Sequence, residues 1–206
     1  MVIILASAAA LAVMLVLGAM SGDSYVYSTL LFSILLLAIP AWCLKANMVV
    51  LPWPIYAGIG LSLGLHGLGL VTYLYNTTNW WDSITHFVSG VTVASLAAVV
   101  LLVVIVHSEE TRVPMTWIPF LIFVSVLAME GVWEILEFIV DMLMGTGMQH
   151  GLEDTMKDIV ANTASGIIAG LGFAYYISRS RASLRDMVDA LKVDRLVAWS
   201  QRTFSD

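Results

Sequence analysis

The sequence predicts an all-α, polytopic integral membrane protein, and three observations carry that prediction. Of its 206 residues, 60% are hydrophobic and only 12% are charged, against about 25% charged in a typical soluble domain. Apolar runs long enough to cross a bilayer, at about 20 residues each, recur at about 2–20, 25–44, 55–75, 82–106, 116–144 and 153–178. The segments between them are short and hold turn residues, leaving no room for a separate soluble domain. The chain therefore divides into a transmembrane helical domain, 1–178, and a basic tail, 179–206, that is cytoplasmic or interfacial. The lone Cys43 excludes an internal disulfide framework and a cysteine-rich metal site. A formal net charge of -6 argues against a nucleic-acid partner.

The first run lacks a basic flank and its apolar core is long, so it reads as a helix and not as a cleaved signal. Gly22 and Asp23 close it. The second ends at Lys45, with Pro40 a candidate kink or terminus. The third carries Gly60 and Gly64 one turn apart, a spacing that lets a neighbouring backbone come close, and His66 near its middle. Trp80 and Trp81 suit the headgroup level. The fourth opens on DSITHFVSG, with Asp82 and His86 one turn apart. The fifth holds most of the membrane-embedded acid, and the sixth carries Asp154, Asp158 and Asn162 before Gly166 and Gly170 at close-packing spacing. In the tail, Ser183 and Asp186 have capping-box spacing, and Leu184, Val188 and Leu191 share a face. A solvated helix and a helix lying on anionic lipid fit that pattern equally.

Orientation follows from charge. All basic residues except Lys157 fall at Lys45, Arg112 and the tail. With six crossings these lie on one side, which the positive-inside rule makes cytoplasmic. Both termini are then cytoplasmic, and the expected location is the inner (plasma) membrane. The outer loops and membrane runs hold nine acids (Asp23, Asp82, Glu130, Glu134, Glu137, Asp141, Glu153, Asp154, Asp158) against Lys157, a formal -8. The other side holds eight basic and six acidic residues, +2, and the two sum to -6. Such a charge cannot stay unpaired near a low-dielectric medium. Protons or bound cations must offset it.

The fifth run organises the rest. Glu130, Glu134, Glu137 and Asp141 are spaced by four, three and four, which forms one stripe on a helix. Carboxylates in a membrane helix are costly, face the protein interior and mark function. Depth brings the other motifs to the same level. The fourth helix enters from outside, putting His86 about 6 Å below Asp82; Glu134 falls roughly 10 Å below Asp141, and Asn162 about 12 Å below Asp154. His66 falls at a similar middle depth. One outer-leaflet cavity is thus expected, lined by His86, Glu134, Glu137 and Asp158, with Asp82, Asp154 and Asn162 near its mouth. His66 and Glu130 read as a buried pair that cross-ties two helices.

The set WWDSITHFVSG, EGVWEILEF and GTGMQHGLEDTMKDIVANTASG resembles the bacterial and archaeal inner-membrane family typified by YjdF, and more distantly the VanZ-like group. The resemblance runs over about residues 50–178. The family's Asp and His fall on Asp82 and His86, its W-E-x-x-E on Trp133, Glu134 and Glu137, its D-T-x-x-D on Asp154, Thr155 and Asp158, and its N-x-x-x-G on Asn162 and Gly166. Asn162 follows the VanZ-like pattern, where relatives of the YjdF kind can carry an apolar residue. The resemblance implies a multi-spanning membrane fold and brings no settled activity.

Three functions fit these residues. In the first, a divalent cation (Mg²⁺, Mn²⁺ or Zn²⁺) sits among Asp82, His86, Glu134, Glu137, Asp154 and Asp158. It supports hydrolysis or transfer on a lipid or lipid-linked substrate, with His86, Glu134, Glu137 and Asp158 as the catalytic set. His66, Glu130, Asp141, Asn162 and Lys157 then complete the binding surface, Lys157 being the one cation available to an anionic substrate. In the second, the glutamates relay protons or cations for a carrier or channel, although no internal repeat and no broken helix supports this. In the third, the polar cluster only fixes helix packing or binds a lipid headgroup.

Overall fold

The computed structural model describes residues 1–108 and 113–204, all of it helix, turn and loop with no strand among the described residues. Arg112, used above to orient the chain, lies outside them.

Asp23 shows how little chain separates two spans. Helix α1 (Val2–Ser21) ends on Gly22 in the left-handed region at φ 74°, and α2 (Ser24–Lys45) starts two residues later. The Asp23 carboxylate accepts from the backbone N–H groups of Tyr25 (2.9 Å) and Val26 (3.3 Å), capping two of the donors that a helix start leaves bare. Pro40 does not end α2, which runs on to Lys45. Helix α3 (Trp53–Val71) is shorter than the apolar run that predicts it. Tyr73 adopts φ 58° and breaks the helix, and a separate turn, α4 (Leu74–Thr77), follows. Helix α5 (Trp81–His107), a 3₁₀ turn at Met115–Trp117, α6 (Ile118–Met144) and α7 (Leu152–Arg179) complete the spans. Six helices are long and apolar enough to cross a membrane, which confirms the all-α polytopic class.

The spans pack as two groups of three. Helices α1, α2 and α3 pack together, α5, α6 and α7 pack together, and α3 against α5 joins them. Gly166 and Gly170 perform as their spacing predicts: an added Cβ would lie 3.4 Å from the Phe123 Cα and 2.9 Å from the Pro119 carbonyl oxygen, so α7 rides directly on α6. Gly60 sits against Ser7 of α1, whereas nothing lies within 4 Å of a Cβ built on Gly64. The spacing of those two glycines therefore does not mark a seam.

The tail is neither solvated along its apolar face nor spread on lipid there. Helices α8 (Leu184–Asp189) and α9 (Asp194–Phe204) follow α7, and Val188, Leu191 and Val193 are buried against Leu102, Val99 and Val103 of α5 and Ile177 of α7. The Val50 N–H donates to the Leu191 carbonyl at 2.7 Å, strapping the tail to the α2–α3 loop. The capping box at Ser183 is formed, and the Ser183 hydroxyl holds the Asp186 carboxyl below its ordinary range.

Candidate functional site

Asp82 lies in the first turn of α5, where a carboxylate suits the positive helix end, and His86 follows one turn on, on the same face. The imidazole is the centre of the site. Its Nε2 lies 3.3 Å from Asp82 Oδ1 and 4.0 Å from Asp158 Oδ1 of α7. Its Nδ1 lies 3.1 and 3.3 Å from the two oxygens of Glu130 on α6 and 3.1 Å from Asn162 Nδ2. With its proton on Nδ1, the ring donates to Glu130 and turns the Nε2 lone pair towards Asp82 and Asp158. Three helices thus converge on one side chain, and the glutamate expected to pair with His66 pairs with His86 instead.

Glu134 stands one turn along α6 from Glu130. Its Oε2 accepts from Thr155 Oγ1 (2.7 Å) and Gln149 Nε2 (3.2 Å). Its Oε1 is buried and accepts nothing, and the same holds for Asp158 Oδ1. Glu134 is 7% exposed and Asp158 is 2% exposed, so water does not supply the missing bonds freely. Unsatisfied buried carboxylate oxygens are costly, and they call for a proton or a cation.

The floor beneath His86 is polar only briefly. Asn162, expected near the mouth, is buried in it; its Nδ2 donates to the Asp158 carbonyl at 3.2 Å. Gly90 lets Asn162 and Ser165 approach, since any Cβ there would collide with both side chains. Deeper still, α5, α6 and α7 close around Ala94, Ala98, Ile118, Ile122 and Val126.

Several predicted residues stand beside the cluster and not in it. The Trp133 indole donates to Glu137 Oε1 at 2.8 Å, which turns that carboxylate aside. Asp141 folds the loop after α6: it accepts from the backbone of Met148 (2.7 Å) and Gln149 (2.8 Å) and from the Thr146 hydroxyl. That bend delivers Gln149 to Glu134. Asp154 binds His150, through the backbone N–H at 3.1 Å and Nδ1 at 3.4 Å. Lys157 pairs with Glu153 at 2.9 Å on the exposed side of α7. His66 Nδ1 meets the Tyr75 hydroxyl at 2.8 Å, and Tyr75 donates to Thr85, which donates to the Asp82 carbonyl at 2.7 Å. Burial pushes the Tyr75 hydroxyl above its ordinary value, so it remains a donor.

Among the described residues two sets can each surround an ion, with ligand atoms within 4.8 Å of one another: Asp82, His86 and Asp158, and His86, Glu130 and Glu134. Glu137 and Asp154 belong to neither. Sequence reasoning passed over Gly90, Gln149 and the role of Thr155, although Thr155 shares a helix face with Asp158 and Asn162 at offsets of three and seven.

No curated protein and no solved structure matches this chain. The family described as Predicted membrane protein (DUF2238) does, and its model spans residues 2–179, which takes in all six spans and every residue of the cluster. The chain belongs to that membrane-protein family, the YjdF-type family its motifs resemble.

Proposed function

We propose that this protein binds a divalent cation between Asp82, His86 and Asp158 and acts hydrolytically, or by group transfer, on a lipid or lipid-linked substrate at the outer leaflet. The observation that carries the reading is the buried Asp158 Oδ1, which has no hydrogen-bond partner and faces the His86 ring. Ligands held about 2.1 Å from one tetrahedral ion lie roughly 3.4 Å apart. The 3.3 and 4.0 Å spacings from Nε2 need little adjustment to meet that. One imidazole with two carboxylates suits Zn²⁺ or Mn²⁺ better than Mg²⁺. Glu130 on the opposite ring nitrogen is the partner that a ligating histidine needs to hold its tautomer.

A cation there would polarise an ester or phosphoester for attack by water. The chain's own groups divide the remaining work. Asp82, part exposed, stands at the mouth; Glu134 keeps an acceptor oxygen free nearby; Glu130 fixes the ring. The side that carries Lys45 and the basic tail is read as cytoplasmic, which places the mouth outside.

The relay reading meets an obstacle in the fold. A proton or ion leaving the cluster along α5, α6 and α7 would enter the apolar packing of Ala98, Ile118 and Ile122. Metal analysis and calorimetry with Zn²⁺ and Mn²⁺ test the cation, on wild type, His86→Ala and Asp158→Asn. Wild type should bind and both variants should lose at least tenfold in affinity. Binding that is absent in wild type, or equal in all three, would reduce the cluster to a packing device. Turnover of lipid by wild type and not by Asp158→Asn would support the enzyme; cation flux in proteoliposomes would support the relay.

A further inference from the structure

One ion between Asp82, His86 and Asp158 leaves Glu134 unexplained. We infer that the cluster holds two divalent cations, the second among Glu130, Glu134 and the Nδ1 of His86, with the imidazole bridging the pair. This rests on the cation site proposed above and adds an ion to it.

Three observations carry the second ion. The two ligand sets share His86 alone, and they use opposite sides of its ring: Asp82 and Asp158 at Nε2, Glu130 at Nδ1. Each set also contains one buried carboxylate oxygen without a hydrogen-bond partner, Asp158 Oδ1 in the first and Glu134 Oε1 in the second. A site for one ion would account for the first and leave the second bare. Finally, Glu134 is held as a ligand would be. Thr155 and Gln149 bind its Oε2, which fixes the carboxylate and leaves Oε1 without a donor.

Charge points the same way. Asp82, Asp158, Glu130 and Glu134 carry a formal minus four when ionised, and the nearby Lys157 is engaged by Glu153. One divalent cation leaves minus two, confined to Glu130 and Glu134, one turn apart on α6 and both buried. Like charges so placed are unfavourable in a low dielectric. The second ion takes the place of the Nδ1 proton between the ring and Glu130, and that proton leaves to solvent. The four carboxylates, the imidazolate and two divalent cations then sum to minus one. Metal–nitrogen bonds of about 2.1 Å on either side of the ring put the ions roughly 6 Å apart. The rival is a single proton shared by Glu130 and Glu134.

The full-length protein in detergent, stripped with chelator and reloaded with MnCl₂, decides between them by metal analysis and electron paramagnetic resonance. Two Mn²⁺ per chain are expected, with a spectrum broadened by coupling between the ions. Glu134→Gln should fall to one Mn²⁺ and show the resolved hyperfine pattern of an isolated ion. One Mn²⁺ in wild type with the isolated-ion pattern overturns the second ion and leaves the first site standing. No Mn²⁺ in wild type overturns both. Two coupled ions retained in Glu134→Gln also overturn the assignment. Should that variant fail to fold, the wild-type stoichiometry and spectrum still decide the matter.

Discussion

Replacing Gly170 by alanine tests the α6–α7 seam against an internal reference. A Cβ at 170 would sit 2.9 Å from the Pro119 carbonyl oxygen, 3.3 Å from its Cα and 3.5 Å from its carbonyl carbon. These are backbone atoms of the first turn of α6, so no side-chain rotation relieves the contact. Ordinary van der Waals contact begins near 3.4 Å, and the two helices must therefore part by about 0.5 Å. Gly172 lies two residues further along the same helix and has nothing within 4 Å of an added Cβ. Both substitutions gain the same helix propensity, about 1 kcal/mol, so it cancels in their difference. What remains is the overpacking cost, about 1–3 kcal/mol. For a chain of this size each kcal/mol moves Tm by about 2–4 °C, so Gly170→Ala should melt roughly 2–12 °C below Gly172→Ala. Tryptophan fluorescence of the detergent-solubilised protein reads the two transitions. Equal melting temperatures, or a lower one for Gly172→Ala, would mean that the seam does not carry the packing assigned to it.

Topology follows from cysteine labelling in a Cys43→Ser background. An impermeant thiol reagent added to intact cells should modify Thr78→Cys and spare Ser183→Cys, and the reverse pattern would invert the orientation. The docked tail gives a third test. Val188→Asp places a carboxylate among Leu102, Leu191 and Val193, at a cost of about 3 kcal/mol. Trypsin should then cut at Arg185 and Lys192 at least tenfold faster than in wild type; an unchanged rate would show that the tail is not held by this contact.

The spans were legible because a bilayer imposes a length and a composition, and both can be counted along the chain. Facing within a helix was legible for the same kind of reason: Asp82 with His86, and Asp158 with Asn162, differ by four residues and must share a side. Partners across helices were not. Depth is one coordinate of three, and His66 and Glu130 agree in depth yet belong to different places. His66 turns to Tyr75, which sits where it does because Tyr73 takes a left-handed conformation inside a run that reads as continuous helix. The tail failed to declare itself for a related reason. An apolar stripe at Leu184, Val188 and Leu191 has the same spacing whether lipid or protein covers it. Asn162 belongs to the motif that begins at Asp154, which points to the mouth, but two turns of helix carry it down to the floor.

The broken end of α3 also bears on how the two helix groups meet. Had α3 continued through Tyr75, that residue would stand about 6 Å beyond Val71 along the axis, in line with the span. The break at Tyr73 lets α4 turn back, and the Tyr75 hydroxyl reaches both His66 of α3 and Thr85 of α5. Thr85 in turn donates to the carbonyl of Asp82 and lies 3.4 Å from its carboxylate. The group formed by α1, α2 and α3 contributes no ligand to either ion set; Ser62 of α3 meets Thr92 of α5 at 3.1 Å, and a second hydrogen-bonded path, from His66 through Tyr75 and Thr85, ends on Asp82. Packing alone would join the groups through α3 and α5 at any depth. The polar join through Tyr75 reaches Thr85, and through it Asp82, from outside the three helices that make the site.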